Sequence, residues 1–175
     1  MGENGLSAHW LPDPDDEQEW CREVFRGVNN ITLDTKGRMA IPSRYREHLR
    51  EEHEGQLVVT VDRDACLLIY PHSEWEEIER KLNRLPSFNR QARKLQRLLV
   101  GHATEVEMDG HGRVLLPGPL RDFASLEKKV VMIGQGNKFE LWDEGRWKEQ
   151  RDAWMQEEMD EDQLDLPAEL ESLSL

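Results

Sequence analysis

A nine-residue pattern occurs twice in this chain and limits its possible folds more than any other feature. The pattern reads aspartate, two variable residues, glycine, arginine, an apolar residue, a variable residue, an apolar residue and proline, and it spans 34–42 and 109–117. The two copies stand 75 positions apart in a chain of 175 residues. A period of that length is too long for a solenoid and fits two tandem domains. We therefore interpret the chain as two copies of one module.

Each copy of the pattern predicts a β-hairpin with a cationic tip. Apolar residues alternate with polar ones before each turn, which is expected of a strand. These apolar residues are Ile31, Leu33, Val106 and Met108. The Asp–Gly turn and the apolar residues that follow it complete the hairpin pattern. Because modules of this size are small for independent cores, we expect them to pack on each other or on other subunits.

The first module predicts the order β-turn-β-α-β-β-α. Its strand patterns lie at 28–33, 57–61 and 67–70, with a short strand from the turn to Ile41. A helix follows Pro42, with Ser43 as its predicted N-cap. A capping box at 73–76 would begin the second helix, and a proline would end it. The residues concerned are the apolar face Trp75, Ile78, Leu82 and Leu85, and Pro86.

The second module repeats this order. Strand patterns lie at 105–108, 114–116, 130–133 and 139–142, with a short helix around Leu120, Phe123 and Leu126 and a final helix at 146–154. Tyr70 recurs as Trp142, and Trp75 recurs as Trp147, both at an offset of 72 instead of 75. The missing three residues therefore fall within the central helix or the central turn.

Between the two modules, residues 89–100 predict an amphipathic helix with a basic stripe. The stripe consists of Arg90, Arg93, Lys94 and Arg97, and the opposite apolar face of Ala92, Leu95 and Leu99. Such a stripe is by default a solvated helix face or half of an intersubunit ion-pair network. A role in contacting phosphates is the less favoured interpretation.

The net charge of −13 is concentrated at the two ends of the chain. Residues 1–23 hold seven acids and one base, and residues 155–175 hold eight acids and no base. Residues 24–154 hold 21 acids and 22 bases. The overall acidity therefore does not exclude DNA binding by a basic face of the body.

The composition also predicts the boundaries of the domains, the linking helix and the two tails. We expect an acidic, disordered extension at 1–23 and an acidic tail at 155–175. The first module is assigned to 24–85, the linking helix to 86–100 and the second module to 101–154.

The sequence gives no indication of an enzyme active site. It lacks a Gly-rich phosphate loop, a nucleophile elbow and a zinc-protease motif, and its six histidines have no metal-ligand spacing. We therefore predict no catalytic residues, no metal and no cofactor. Cys21 and Cys66 are interpreted as free thiols in a reducing cytoplasm. Neither a membrane-spanning apolar run nor a secretory signal is evident.

Four residues of the repeated pattern are assigned a structural role. Asp34 and Asp109 are expected to accept hydrogen bonds from backbone N–H groups within their own turns. Gly37 and Gly112 are expected to supply a positive φ.

The two arginines of the pattern have two interpretations. Each could lock its turn by pairing with the aspartate, or could project toward a phosphate or a guanine edge. For Arg38 we favour DNA, because Lys36 adds a second cation to the same turn. For Arg113 the two interpretations are evenly balanced, because His111 takes the place of that lysine.

Seven segments of the chain resemble the bacterial MraZ family. They occur in the family's order between Val24 and about Trp154. The segments are Phe25-Arg26-Gly27, Asp34–Arg38, Pro42–Arg46, Leu67–Pro71, Arg97–Ala103, Asp109–Arg113 and Gly134–Trp142.

The resemblance implies an α+β fold of two tandem SpoVT-AbrB-like modules. Each module is a double-split β-α-β unit, the two pair as a pseudo-dimer within the chain, and the chains assemble into homo-oligomeric rings. The family binds short G-rich direct repeats in the double-stranded promoter DNA of its own division and cell-wall operon. Its contacting loop corresponds to Asp34–Arg38, with Lys36 assisting Arg38 and Arg26 nearby. The implied location is the cytoplasm, in association with the nucleoid.

Two other functions compete with a transcriptional regulator. The ring could be the functional product, with DNA binding incidental. An antitoxin role follows by analogy, since AbrB-like modules occur in toxin–antitoxin pairs. Antitoxins of that kind usually have one such module and a toxin-binding tail, so the internal duplication argues against this role.

The chain departs from the family at its front end. The family typically begins at Phe-Arg-Gly with a single preceding Met, whereas 23 residues precede Val24 here. Val24 stands at the position of that Met, so we expect the natural protein to start there. The alternatives are a genuine acidic arm that tunes DNA affinity and a partly artificial segment.

Overall fold

The computed structural model describes residues 24–157, and the expectations for 1–23 and for 158–175 lie outside the described residues. The first module contains β1 (Phe25–Thr32), β2 (Arg38–Ala40), α1 (Ser43–His53), β3 (Gln56–Val61), β4 (Leu67–Pro71) and α2 (His72–Asn83). The linking helix is α3 (Arg90–His102). The second module contains β5 (Thr104–Glu107), β6 (Arg113–Leu115), α4 (Gly118–Phe123), β7 (Lys129–Gly136), β8 (Phe139–Asp143) and α5 (Glu144–Glu157). The predicted α+β order is confirmed in both modules.

Each module gives its first strand to the other module. The main sheet has six strands in the order β1-β7-β8-β4-β3-β5, and all of its neighbours are antiparallel. Strand β1 pairs with β7 of the second module along its whole length, and β5 pairs with β3 of the first. The β4–β8 pair joins the two halves at the centre. The two modules therefore form an intrachain pseudo-dimer, as expected.

The predicted hairpins are wrong. The strands on either side of each turn do not pair with one another, because β2 pairs with β6 in a separate two-stranded ribbon. The pairing sets Met39 opposite Val114, and both side chains are buried. The buried contact between the two central residues therefore joins β2 and β6 across the two modules.

The main sheet is covered on both faces. In β3, residues alternate between the faces with the period of two that a strand requires: Val59 faces the larger core and Val58 the smaller one. Helices α1 and α4 and the ribbon contribute to the larger core. Helices α2 and α3 cover the smaller core, and α5 packs beside Trp142 of β8 on that same side.

The predicted equivalence of the modules is visible in their aromatic pairs. The ring centroids of Tyr70 and Trp75 lie 5.6 Å apart, and those of Trp142 and Trp147 lie 6.0 Å apart. The second module is shorter at its central helix, since α4 has 6 residues where α1 has 11, and a longer connection to β7 makes up part of this difference.

Both predicted helix caps are wrong. Helix α1 begins at Ser43 itself, after Pro42, and no side chain caps its N-terminus. Helix α2 begins at His72, one residue before the predicted capping box, and the Ser73 Oγ lies 3.0 Å from His53 Nδ1 instead. A proline precedes each helix with a φ near −54°, which lets the next residue enter the helix at once. Helix α2 also ends at Asn83, before Pro86.

The exchanged strand β1 leaves no room for a side chain at Gly134. A Cβ there would lie 2.7 Å from the Cα of Arg26 on the paired strand. We expect Gly134→Ala to lower the free energy of unfolding by about 1–3 kcal/mol, as overpacking does. Urea unfolding followed by tryptophan fluorescence measures this change.

The matched control is Gly101→Ala, because a Cβ at this helical glycine meets nothing within 4 Å. It is expected to raise the free energy of unfolding by about 0.5–1 kcal/mol. Equal stability of the two variants would contradict the tight β1–β7 pairing.

Candidate nucleic-acid interface

The first turn is organised by the carboxylate of Asp34. Its Oδ1 accepts the backbone N–H groups of Lys36 (2.9 Å) and Arg38 (2.8 Å), and its Oδ2 accepts the Nε of Arg38 (2.6 Å). The Gly37 N–H donates to the Asp34 carbonyl oxygen at 3.0 Å, and Gly37 has a φ of +83°. One side chain thus fixes both the backbone of the turn and the orientation of the arginine.

The second turn has the same geometry. Asp109 Oδ1 accepts the backbone N–H groups of His111 and Arg113, both at 2.9 Å, and Oδ2 accepts the Nε of Arg113 at 3.0 Å. Gly112 has a φ of +76°. Of the two interpretations of the arginines, pairing with the aspartate is therefore present in both turns.

Pairing through Nε does not use up the guanidinium group. An arginine carries five N–H donors, four of them on its two terminal nitrogens. Within residues 24–157, the terminal nitrogens of Arg38 have no hydrogen-bond partner, and the same holds for Arg113. The aspartate holds the plane of each guanidinium while the outer edge stays available to a ligand.

Each turn is covered by an arginine of the opposite module. Arg121 packs on Gly37, where an added Cβ would overlap its guanidinium, and Arg46 packs on Gly112 in the same way. The Nε of Arg46 donates to the Ile41 carbonyl oxygen at 2.6 Å. Neither arginine was predicted to have a role, although their offset of 75 is the offset of the turns themselves.

The ribbon brings both turn arginines onto one surface. Met39 and Val114 point inward, so their neighbours along each strand point outward. Arg38 lies opposite Leu115, and Ala40 lies opposite Arg113. The two arginines are therefore diagonal neighbours, roughly 7–8 Å apart at the backbone. We call this surface the ribbon face; it consists of Arg38, Ala40, Arg113 and Leu115, with Lys36 and His111 at its two ends.

Both turn carboxylates are held in the ionised form. The backbone N–H of Arg38 is the main cause that lowers the pKa of Asp34 to about 2, and the Arg38 side chain adds to it. The backbone N–H of Arg113 lowers the pKa of Asp109 in the same direction. Two further acids, Glu105 and Glu107, line a shallow cleft beside Lys36. The ribbon face is thus a surface of oriented arginines and not a uniformly basic patch.

Arg26 does not lie near the turn, so that expectation is wrong within one chain. It stands near the start of β1, and the strand continues to Thr32. Arg26 and Thr32 are six residues apart in this extended strand, which corresponds to roughly 20 Å, and the turn begins only after Thr32. The Arg26 carbonyl oxygen accepts the hydroxyl of Tyr45, which anchors α1 to β1.

The basic stripe lies on the other side of the sheet. Its helix α3 packs with α2 over the smaller core, whereas the ribbon packs on the larger core. All four stripe residues are exposed, and Arg93 donates to the Ser87 carbonyl oxygen at 2.8 Å. The stripe therefore belongs to the layer over the smaller core, and the ribbon face to the layer over the larger core.

The described residues offer no other reactive centre of the usual kinds. No group of three or more His, Cys, Asp or Glu within 24–157 is arranged to hold a metal ion. Cys66 is buried, and burial raises the pKa of its thiol, which disfavours the reactive thiolate. In the same range, no helix is both long and apolar enough to span a bilayer.

The turn geometry predicts the titration of Asp34. Its carboxyl is expected to titrate at about 2 in the folded protein instead of 3.8. Because folding lowers the pKa of Asp34, its hydrogen bonds stabilise the fold fully at pH values above 3.8. This stabilisation is lost as the pH falls through the folded-state pKa of about 2. Carboxyl ¹³C NMR measures the midpoint.

The variant Arg38→Ala removes the side-chain partner but keeps the backbone N–H, so the pKa of Asp34 is expected to rise only part of the way toward 3.8. Lys36→Ala, which also keeps its backbone N–H, is the control and is expected to leave the midpoint in place. A midpoint near 3.8 in the unmodified protein would contradict this geometry.

Comparison with known proteins places the chain in a family. The family model described as "MraZ protein, putative antitoxin-like" matches it twice, at residues 24–98 and 99–166. The chain is 63% identical over 152 residues to the transcriptional regulator MraZ of Thioalkalivibrio sulfidiphilus, a match that covers 87% of this chain and all of that protein. It is 60% identical to the protein of the same name from Methylococcus capsulatus, covering 86% of this chain and 99% of that protein. With the duplicated turn and the exchanged strands, these matches show that the chain belongs to the MraZ family.

Proposed function

We propose that this protein is a sequence-specific DNA-binding transcriptional regulator whose ribbon face contacts the DNA. The observation that carries the proposal is the pair of arginines on that face, each held through Nε and each with a free outer edge. The relatives named transcriptional regulators support the same class of function.

The shape of the ribbon suits the major groove. That groove admits a two-stranded β-ribbon, and a bidentate arginine on guanine is its commonest specific contact. In this proposal Arg38 reads guanine and Lys36 contacts a neighbouring phosphate. Arg113, diagonal to Arg38 on the same ribbon, contacts the next base or its phosphate. The proposed target is a set of G-rich direct repeats upstream of the protein's own division and cell-wall operon, which would place the protein at the nucleoid.

The proposal includes assembly into a closed homo-oligomeric ring. The modules already satisfy each other's strands within one chain, so small module size is not a reason for assembly. Large exposed apolar side chains are a better reason: Phe88 is 95% exposed and Met155 is 60% exposed. A ring would present several ribbon faces, so weak contacts to spaced repeats would add through effective concentration.

A ring whose DNA binding is incidental is the second candidate. Phe88 and Met155 would favour it equally, because assembly alone explains their exposure. The held arginines of the ribbon face favour the regulator, since a purely structural ring has no use for a free guanidinium edge there. Specific binding of the DNA upstream of the protein's own gene, measured by gel shift, distinguishes the two.

Arg38→Ala tests the DNA contact. It is expected to lower specific affinity by about 1–3 kcal/mol per loop, because it removes one bidentate contact. The fold is expected to survive, since the backbone N–H bonds to Asp34 remain. Fluorescence anisotropy with operator DNA and circular dichroism measure the two quantities.

Arg84→Ala is the matched control, since Arg84 is an exposed arginine at the end of α2. It is expected to leave operator affinity unchanged. Arg113→Ala reports whether the second turn also touches DNA. Unchanged operator binding by folded Arg38→Ala protein would refute the proposed site.

Assembly is tested separately. Light scattering at micromolar concentration is expected to give the mass of several chains of 20.5 kDa. Phe88→Asp is expected to reduce that mass by placing a charge in an apolar contact, whereas Ser87→Asp on the same exposed loop is the control. A stable monomer at this concentration would rule out the ring.

A further inference from the structure

A groove of about 570 Å³ runs along α3. Much of its lining is apolar and comes from β4, α3 and α4, namely Leu68, Tyr70, Leu95, Leu98, Leu99 and Phe123. Phe123 keeps 37% of its surface exposed. Concave, mostly apolar sites of this size are typical of binding sites, and no side chain of residues 24–157 fills this one.

The rim of the groove is basic. Arg63, Lys94 and Lys138 line it, and its one lining acid, Asp62, already accepts a backbone N–H within its own turn at 3.3 Å. Gln91 and Lys94 also line the shallow cleft of the basic stripe. The groove and the stripe are therefore one continuous surface, apolar along its floor and cationic along its edge. We call it the α3 surface.

DNA matches only half of this surface. Phosphates would satisfy the cations but would leave the apolar floor exposed to water. Helix α3 covers the smaller core and the ribbon packs on the larger one, and of the helices that line the groove only α4, through Phe123, lies on the ribbon's side of the sheet, so the α3 surface is distinct from the ribbon face. A peptide that carries both acidic and apolar side chains would match both the cationic edge and the apolar floor of this surface.

Residues 158–175 have this composition. They hold seven acids, no base and five leucines. Helix α5 ends at Glu157 and packs against β7 and β8, on the sheet face that α3 covers. Only β4 separates β8 from β3 under α3, a distance of about 10 Å. Eighteen extended residues reach up to roughly 60 Å, so the segment can reach the α3 surface of its own chain.

We propose that the α3 surface binds the acidic segment 158–175 of its own chain. Leucines of the segment fill the groove, and its carboxylates face the rim and the basic stripe. Linkage through α5 keeps the segment at a high effective concentration. The bound segment shields the stripe from non-specific phosphates and leaves the ribbon face accessible to DNA.

Photo-cross-linking in the full chain tests the proposal. A benzophenone amino acid replaces Gln91, which is exposed and lines both parts of the surface. The control probe replaces Glu47, an exposed residue of α1 on the other side of the sheet. Cross-links from position 91, and not from position 47, are expected to fall within 158–175. Mixing ¹⁵N-labelled with unlabelled protein is expected to give cross-linked peptides of one isotope only.

A charge reversal tests the contribution of the stripe. Lys94→Glu with Arg97→Glu changes two exposed residues of α3 and is expected to lower the cross-link yield roughly tenfold, since several exposed ion pairs are lost. Lys128→Glu with Lys129→Glu reverses two exposed charges elsewhere and is expected to leave the yield unchanged. Circular dichroism checks that both variants are folded.

Three cross-linking results would overturn the proposal. Cross-links from position 91 could be absent from 158–175, could join peptides of different isotopes, or could persist unchanged in the charge-reversed variant. A loss of operator affinity in that variant equal to the loss in Arg38→Ala would identify the stripe as a DNA surface and overturn it as well. The cross-linking contains no DNA, so its outcome does not depend on the proposed function.

Discussion

The rest of the structure depends on the reciprocal exchange of first strands. Without β1, the second module would expose the edge of a two-stranded sheet, which is marginal in water and prone to pair with other chains. The exchange covers β7 with β1 and β3 with β5. It also carries each turn across the pseudo-twofold, so that β2 and β6 meet and bury Met39 against Val114. The exchange of first strands therefore creates both the shared core and the ribbon.

The candidate site is a product of both modules. Each turn holds its own arginine through an aspartate, but an arginine from the other module covers each turn glycine. The backbone N–H of Leu116 also donates to the Gly37 carbonyl oxygen, and that of Ile41 to the Gly112 carbonyl oxygen. A single module would have the turn sequence without its supports. This interdependence gives a physical reason for keeping both copies in one chain.

Charge is sorted by position in this protein. The body is nearly neutral while the ends are acidic, and two groups of described cations lie on separate surfaces, the ribbon face and the α3 surface. On the ribbon face, carboxylates orient the arginines, which favours recognition of defined acceptors over general attraction. On α3 the cations border an apolar groove. The two surfaces therefore suit ligands of different chemistry, nucleic acid on one and an acidic, leucine-bearing peptide on the other.

The sequence by itself determined what is local. The two modules, their element order, the aspartate-centred turns and the amphipathic α3 follow from periodicity and turn chemistry, which act over a few residues. Only the tertiary structure decided which strands pair, because alternation identifies the buried face of a strand but not its partner. Val28 pairs with Ile133, over a hundred positions away, so the predicted hairpins were wrong. The same long-range pairing placed Arg26 far from the turn, set Arg46 and Arg121 on the turn glycines, and made Arg38 and Arg113 neighbours.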